Sequence, residues 1–327
     1  MKSLGKPQVL ALTATATSEV IEDIKKQLDL PDMRVLNMGL YRPNLRYEVM
    51  LTTNENEKIE ELAGLLNTIK GSGIVYCATV RNVETVVRQL SELGITTVKY
   101  HGRIKAAERE NIQEDFMRGE APIIIATNAF GMGIDKRDIR FVIHYDVPGS
   151  LEAYYQESGR AGRDGVLARC FLLYRLEDRR LQSFFMAGRY PDLDEIAAIY
   201  SELRRRRSRG PLSLKEIEVA LGIPRRRARV ILSMFKREGK VVELRGMLFK
   251  LSGPDLEDFD LEAIAREHER RAQTDRRKLE QMMLFGQIGS CRWKFLLDYF
   301  DNETDWQHCG NCDNCLVPPE TRIGPRG

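Results

Sequence analysis

Three cysteines, Cys309, Cys312 and Cys315, stand two residues apart each time, and a fourth, Cys291, lies about one helix and one loop upstream. Four thiolates at such spacing can enclose a zinc ion tetrahedrally. Gly310, Asn311, Asp313 and Asn314, between the three downstream cysteines, are small turn formers that let the chain fold tightly around one ion. Iron–sulfur clusters also use cysteines at two-residue gaps. The far-upstream position of Cys291, without the closely following cysteine and proline of ferredoxin-like runs, favours structural Zn2+. Cys77 and Cys170 sit inside apolar stretches and read as core residues. Two further groups carry charge that could do chemistry. Gln156, Gly159, Arg160, Gly162 and Arg163 form a tight run that in isolation reads as a basic surface turn. Arg225, Arg226, Arg227 and Arg229 crowd the start of a helix-periodic segment, with side chains long enough to reach phosphates or base edges.

The elements that must position these groups follow from hydrophobic patterning. Between Val35 and Tyr174 short β-rich apolar runs alternate with helix-periodic stretches. The strands are Ile74 to Cys77, Thr97 to Tyr100, Ile123 to Ala126, Phe141 to Tyr145 and Cys170 to Leu173. The helices are Val80 to Leu93, Lys105 to Arg118 and Leu151 to Ser158. This alternation predicts an α/β fold, a parallel sheet covered by helices on both faces, with ligands at the carboxyl ends of the strands. From about Leu181 to Leu251 the pattern is helix, tight turn at Gly222 and Pro224, helix, then a small hairpin interrupted by Gly246. That is the pattern of a winged helix, a unit that binds DNA or docks proteins. From about Leu261 to Pro319 a charged helix and an aromatic-rich helix precede the cysteine knuckle.

With these elements in place, the run QESGRAGRDG resembles motif six of superfamily-two helicases in the form found in the RecQ family of ATP-dependent DNA helicases. ALTATAT at Ala11 to Thr17 resembles motif three, YCAT at Tyr76 to Thr79 motif four, and ATNAFGMGIDK at Ala126 to Lys136 motif five. CRWKFLLDYF followed by CGNCDNC, covering Cys291 to Cys315, is similar to the family's helical zinc-binding subdomain. The resemblance implies a RecA-like second motor lobe over residues 34–180, preceded by the end of the first lobe and a linker at 1–33. A winged-helix-like domain at 181–258, a helical zinc-binding subdomain at 259–319 and a tail at 320–327 would follow. It implies an ATP- and Mg2+-driven, 3′-to-5′ DNA helicase acting in DNA repair and recombination on single strands and duplex junctions, cytoplasmic and nucleoid-associated. By the same resemblance Gln156, Arg160 and Arg163 are catalytic, Arg163 being the arginine finger, and Gly133 and Asp135 join the two arginines at the nucleotide. Thr79, Arg81, His101, Thr127 and Gly131 would contact DNA. Guanidinium suits the finger because it stays charged and presents a fork of donors as charge builds on transferring phosphate.

No Gly-rich loop ending in Gly-Lys-Ser or Gly-Lys-Thr occurs, nor a strand ending in Asp-Glu-Ala-His. Both belong to the first motor lobe, so these residues alone are expected not to hydrolyse ATP and to need that lobe in cis. Order also departs from the best-known RecQ proteins, where the winged helix follows the zinc unit. A non-catalytic DNA-binding or docking protein built from degenerate motor parts, and an RNA helicase, are the competing readings; the zinc unit argues against the latter.

Charge and composition agree with a nucleic-acid partner. Lys and Arg number 51 against 48 acids, a net charge of +3 over 327 residues, yet Ser201 to Lys240 alone hold 13 basic and 4 acidic residues. No apolar run approaches the roughly 18 residues that span a bilayer, and the first residues lack a secretory core, which predicts a soluble intracellular protein with no membrane partner. Six cysteines are too sparse in a chain this long for a disulfide scaffold.

Overall fold

The computed structural model describes residues 9–322 apart from residues 14, 16, 38, 132, 188, 189 and 253–257; Ala14 and Ala16 of the ALTATAT run and Met132 of the ATNAFGMGIDK run lie outside the described residues. Two compact units emerge. One comprises the residues up to Leu176 together with those from Gln281 onward, and the other comprises Glu177–Glu280.

The first unit opens with α1 (Ser18–Leu28) and continues as β1 (Leu45–Leu51), α2 (Glu55–Thr68), β2 (Ser72–Tyr76), α3 (Val80–Glu92), β3 (Val98–Tyr100), α4 (Ala106–Arg118), β4 (Ile123–Ala126), β5 (Ile139–His144), α5 (Leu151–Ser158) and β6 (Ala168–Tyr174). The six strands form one parallel sheet in the order β1-β6-β5-β2-β4-β3. Strands β2, β4, β5 and β6 are buried along nearly their whole length, as apolar runs of Ile, Val and Phe require when helices cover both faces. Because side chains alternate, Val75, Ile125, Phe141 and Ile143 meet Ile59, Leu62, Val83 and Val86 of α2 and α3 on one face. The opposite face carries Tyr47, Tyr76 and His144: Tyr76 stacks on His144, Tyr47 and His144 meet Tyr154, and Tyr47 also meets Phe285 and Trp293.

In the second unit lie α6 (Asp178–Ala187), α7 (Leu193–Arg205), β7 (Leu212–Ser213), α8 (Leu214–Leu221), α9 (Arg225–Arg237), β8 (Val241–Leu244) and β9 (Leu248–Leu251). The strands form an antiparallel sheet in the order β7-β9-β8. Two reciprocal N-terminal boxes start its helices: Asp192 with Glu195 opens α7, and Ser213 with Glu216 opens α8. Hydrogen bonds from the Ser213 backbone and hydroxyl, with Arg206 beside them, hold the Glu216 carboxyl down to about 2. Gly222 ends α8 in the left-handed region, φ 69°, which turns the chain into α9. Ile196, Leu203, Ile217, Ile231, Phe235 and Phe249 close one core beneath helix, turn, helix and hairpin, the winged-helix arrangement read from the sequence.

Helix α10 (Asp258–Gln287) runs out of the second unit, and α11 (Arg292–Tyr299), α12 (Asp313–Leu316) and α13 (Pro319–Arg322) complete the first. No described helix is long and apolar enough to cross a membrane.

Candidate motor half-site and zinc centre

The motif-six run begins in α5, whose start is capped by the Ser150 hydroxyl accepting from the Ala153 N–H at 3.2 Å. Past Gly159 the chain turns sharply, with Gly162 at φ 56° donating to the Ile139 carbonyl at the start of β5 (2.9 Å). A Cβ on Gly162 would lie 2.6 Å from the Asn44 amide nitrogen and 2.9 Å from the Val166 carbonyl oxygen, so only glycine fits this turn. Arg42 grips it from outside the motif. Its guanidinium donates to the carbonyls of Gly159 (2.6 Å), Ala161 (2.8 Å) and Gly162 (2.7 Å), and Asn44 donates to those of Gly162 (2.7 Å) and Val166 (3.1 Å). Sequence reasoning passed over Arg42 and Asn44. Their one signal was a polar YRPN stretch ahead of an apolar strand.

Arg160 and Arg163 both reach the loop between β4 and β5. Arg160 donates to the Gly131 carbonyl, while the Tyr76 hydroxyl donates to the preceding carbonyl, that of Phe130, at 3.1 Å. Burial pushes the Tyr76 hydroxyl above its ordinary value, and the Arg160 guanidinium beside it works in the other direction. Gly131 sits at φ 133° with the Arg160 guanidinium packed where a Cβ would stand. Arg163 donates to the Ile134 carbonyl (3.2 Å) and the Asp135 carboxylate (2.6 Å); its side chain is 36% exposed and that of Asp135 75%. Gly133 is exposed on the same loop, at φ 79°. Gln156, one helical turn earlier, donates to the Thr15 hydroxyl at 2.9 Å, joining motif six to motif three. Between them Glu157 turns inward to the buried ring of His144 at 2.8 Å, a pair the sequence did not announce. Neither arginine enters the hydrophobic interior.

In the same unit the sulfurs of Cys291, Cys309, Cys312 and Cys315 all lie within 4.8 Å of one another, and those of Cys309 and Cys315 are 3.9 Å apart. Bonds of about 2.3 Å to one tetrahedral zinc put sulfurs about 3.8 Å apart, so the set fits a single ion, whereas a cluster whose thiolates ligate different irons needs them farther apart. Backbone N–H groups are aimed at the sulfurs as thiolates demand: those of Lys294 and Cys309 at Cys291, those of Asn311 and Cys312 at Cys309, and that of Arg292 at Cys312, at 3.3–3.5 Å. Cys77 and Cys170 are buried in the sheet, where burial raises both thiols.

Residues 57–165 match the helicase conserved C-terminal domain and residues 254–316 match the RecQ zinc-binding domain. A probable ATP-dependent DNA helicase RecS of Bacillus subtilis is 32% identical over 318 residues, covering 96% of this chain and 60% of that protein. ATP-dependent DNA helicase RecQ of the same organism is 41% identical over 181 residues, covering 55% of this chain and 30% of that protein. A putative ATP-dependent DNA helicase Q1 of Caenorhabditis briggsae is 44% identical over 202 residues, covering 60% of this chain and 32% of that protein. The chain belongs to the RecQ helicase family. It spans 60% of the RecS length and about a third of the other two. Zinc is the family's structural metal, and the four cysteines here are its ligands.

The remaining residues singled out from the RecQ resemblance fall in two places. Thr79, His101 and Thr127 follow β2, β3 and β4, three adjacent strands, so the fold brings them to one edge of the sheet. Thr79 caps α3 by accepting from the Asn82 N–H (2.9 Å), and Arg81 is exposed one residue into that helix. The His101 ring is buried against the Glu84 carboxylate (2.9 Å), which Lys99 also engages and which these hydrogen bonds hold below its ordinary value. Thr127 is buried too. The arginines of α9 diverge: Arg225 pairs with Glu218 (2.6 Å), Arg227 turns inward to Glu195, Arg229 contacts the Met247 sulfur (3.0 Å), and Arg226 is exposed.

Proposed function

We propose that the chain supplies the second motor lobe of an ATP-driven RecQ-type helicase that unwinds duplex DNA, with Arg163 as the arginine finger and Arg160 beside it. One observation carries the reading. Both guanidiniums emerge from a turn that Arg42 and Asn44 hold rigid, and both rest on the loop that bears Gly131, Gly133 and Asp135. Nothing but this loop engages Arg163 among the described residues, so a phosphate can replace the exposed Asp135 carboxylate without unfolding anything. Bound Mg2+·ATP would supply the transferring γ-phosphoryl group against these two arginines, Gly133 and Asp135. The protein's part is to present charge that needs no rearrangement as the phosphoryl group leaves.

Gln156 reads the state of motif three through Thr15, and Thr79, Arg81, Thr127 and Gly131 offer the DNA strand an edge of the sheet continuous with that loop. Leu10 and Leu12, ahead of Thr15, are 82% and 84% exposed, apolar side chains suited to packing against a first motor lobe. The domain division at 34–180, 181–258 and 259–319 belongs to the same proposal.

The test is Arg163→Ala in the complete enzyme. DNA-stimulated ATP turnover should fall by about three to five powers of ten while single-strand binding holds within twofold. Turnover that survives the substitution would remove the finger from Arg163, whereas a complete protein with no ATP turnover before the substitution would favour a non-catalytic docking protein.

A further inference from the structure

No residue of α1, the helix that follows motif three, is buried, so apolar burial does little to fix it. Polar contacts at its first turn hold it instead. The Ser18 N–H, which has no carbonyl partner inside the helix, donates to the Asp301 carboxylate at 2.8 Å across 283 positions, and the Thr17 hydroxyl accepts from the Val20 N–H. Just upstream, Thr15 is buried and its hydroxyl accepts from the Gln156 amide. Motif three is thus tied at Thr15 to motif six and at Ser18 to the end of α11. Asp301 stands just past α11 at φ 53°, in the left-handed region, where the Asn302 N–H closes the helix end on the Leu297 carbonyl at 2.9 Å. Glycine takes such a position without steric cost and aspartate does not. The bond to Ser18 is the one hydrogen bond of the Asp301 side chain among the described residues, and it gives the carboxylate a task that glycine cannot perform. The end of α11 is itself seated on α5, the helix that presents Gln156: Phe300 is buried with its ring 5.6 Å from that of Tyr155, and Tyr299 hydrogen-bonds Glu152.

We propose that Asp301 is a positioning residue for the motor: it fixes the start of α1 so that Thr15 meets Gln156, and the segment matched by the RecQ zinc-binding domain thereby sets how motif three engages motif six. The inference deepens the motor reading and rests on it. Asp301 acts through Thr15 and not on the nucleotide. Its carboxylate suits the role because an anion at the first turn of a helix binds the free N–H and also meets the positive end of the helix dipole.

The experiment compares Asp301→Gly and Asp301→Asn in the complete enzyme, by amide hydrogen exchange over Ser18–Leu28 and by ATP turnover with and without single-stranded DNA. Glycine keeps the left-handed backbone and removes only the carboxylate. The α1 amides should then exchange about tenfold faster, as loss of one charge-assisted hydrogen bond requires, while the melting temperature does not fall and zinc stays bound. DNA-stimulated turnover should drop about tenfold in kcat, with KM for ATP within about twofold of wild type. Asparagine keeps an oxygen acceptor on a residue that also tolerates the left-handed region, and should bring both readouts to within about threefold of wild type. Unchanged exchange in the glycine variant, or faster exchange with unchanged DNA stimulation, overturns the proposal. A wild-type enzyme without ATP turnover sinks the motor reading instead, and the exchange of α1 still decides whether Asp301 holds that helix.

Discussion

The indole N–H of Trp293 donates to the backbone carbonyl of Leu45 across 2.9 Å, joining residues 248 positions apart. Leu45 begins β1, an edge strand of the sheet, and the zinc knuckle covers that edge. Asn311 donates to the Pro43 carbonyl at 2.9 Å, and Asp313 accepts from the Val49 N–H at 2.9 Å while also binding Arg292 at 3.0 Å. An exposed strand edge invites pairing with other chains, and side chains of the zinc unit block it here. Trp293→Phe keeps the ring among Tyr41 and Tyr47 but leaves the Leu45 carbonyl only the longer bond from the Asn311 amide, at 3.4 Å. Its expected cost is about 1–3 kcal/mol in urea unfolding of the first unit, and a shift within error would show that the bond contributes nothing.

Zinc holds that cover in place, because the knuckle's Asn311 and Asp313 stand between its ligands. One zinc per chain is expected by elemental emission, with no visible absorption bands of an iron–sulfur centre. Cys312→Ser should lose the metal, lower the melting temperature of the sheet as well as of the knuckle, and raise the tendency to aggregate. Bound iron with a visible chromophore would contradict the assignment.

Arg42 makes three hydrogen bonds to the motif-six turn, a task its planar fork performs and an ammonium cannot. Both Arg42→Ala and Arg42→Lys are expected to cut ATP turnover of the complete enzyme at least tenfold while leaving zinc content at one per chain. Full activity in the lysine variant would mean that charge alone suffices.

His268 is buried in the second unit, and neither ring nitrogen has a hydrogen-bond partner among the described residues. Burial, with Arg271 and Arg237 adding to it against Glu267, lowers its pKa below the ordinary 6.5. The folded state therefore binds this proton less readily than the unfolded chain does. The stability His268 contributes is full above its unfolded value and is lost as pH falls below it. Urea midpoints of the second unit should drop between pH 7.5 and about 5.5, and His268→Leu should flatten that decline; parallel curves would exclude His268 as its source.

What the chain disclosed by itself were groups whose partners are close along it. Cysteine spacing named the zinc ligands, since a knuckle is built from consecutive turns, and Gly222 with Pro224 marked the turn between α8 and α9, since left-handed backbone selects glycine. The run from Gln156 to Gly165 was legible as a consecutive motif, although its partners Gly131, Arg42 and Thr15 lie 29, 117 and 141 positions away. Tertiary structure decided every choice between candidates of equal local chemistry. Of four neighbouring arginines at the start of α9, Arg227 turns inward because Glu195 on α7 waits there, and His101 is sealed from solvent because Glu84 on α3 meets it. Arg42 joined the motif-six turn only because β1 pairs with β6, which sets it beside carbonyls 117 to 120 positions away. Periodicity records which face of an element is apolar; it carries no record of which element lies opposite, and hydrogen bonds across a sheet order depend on that alone.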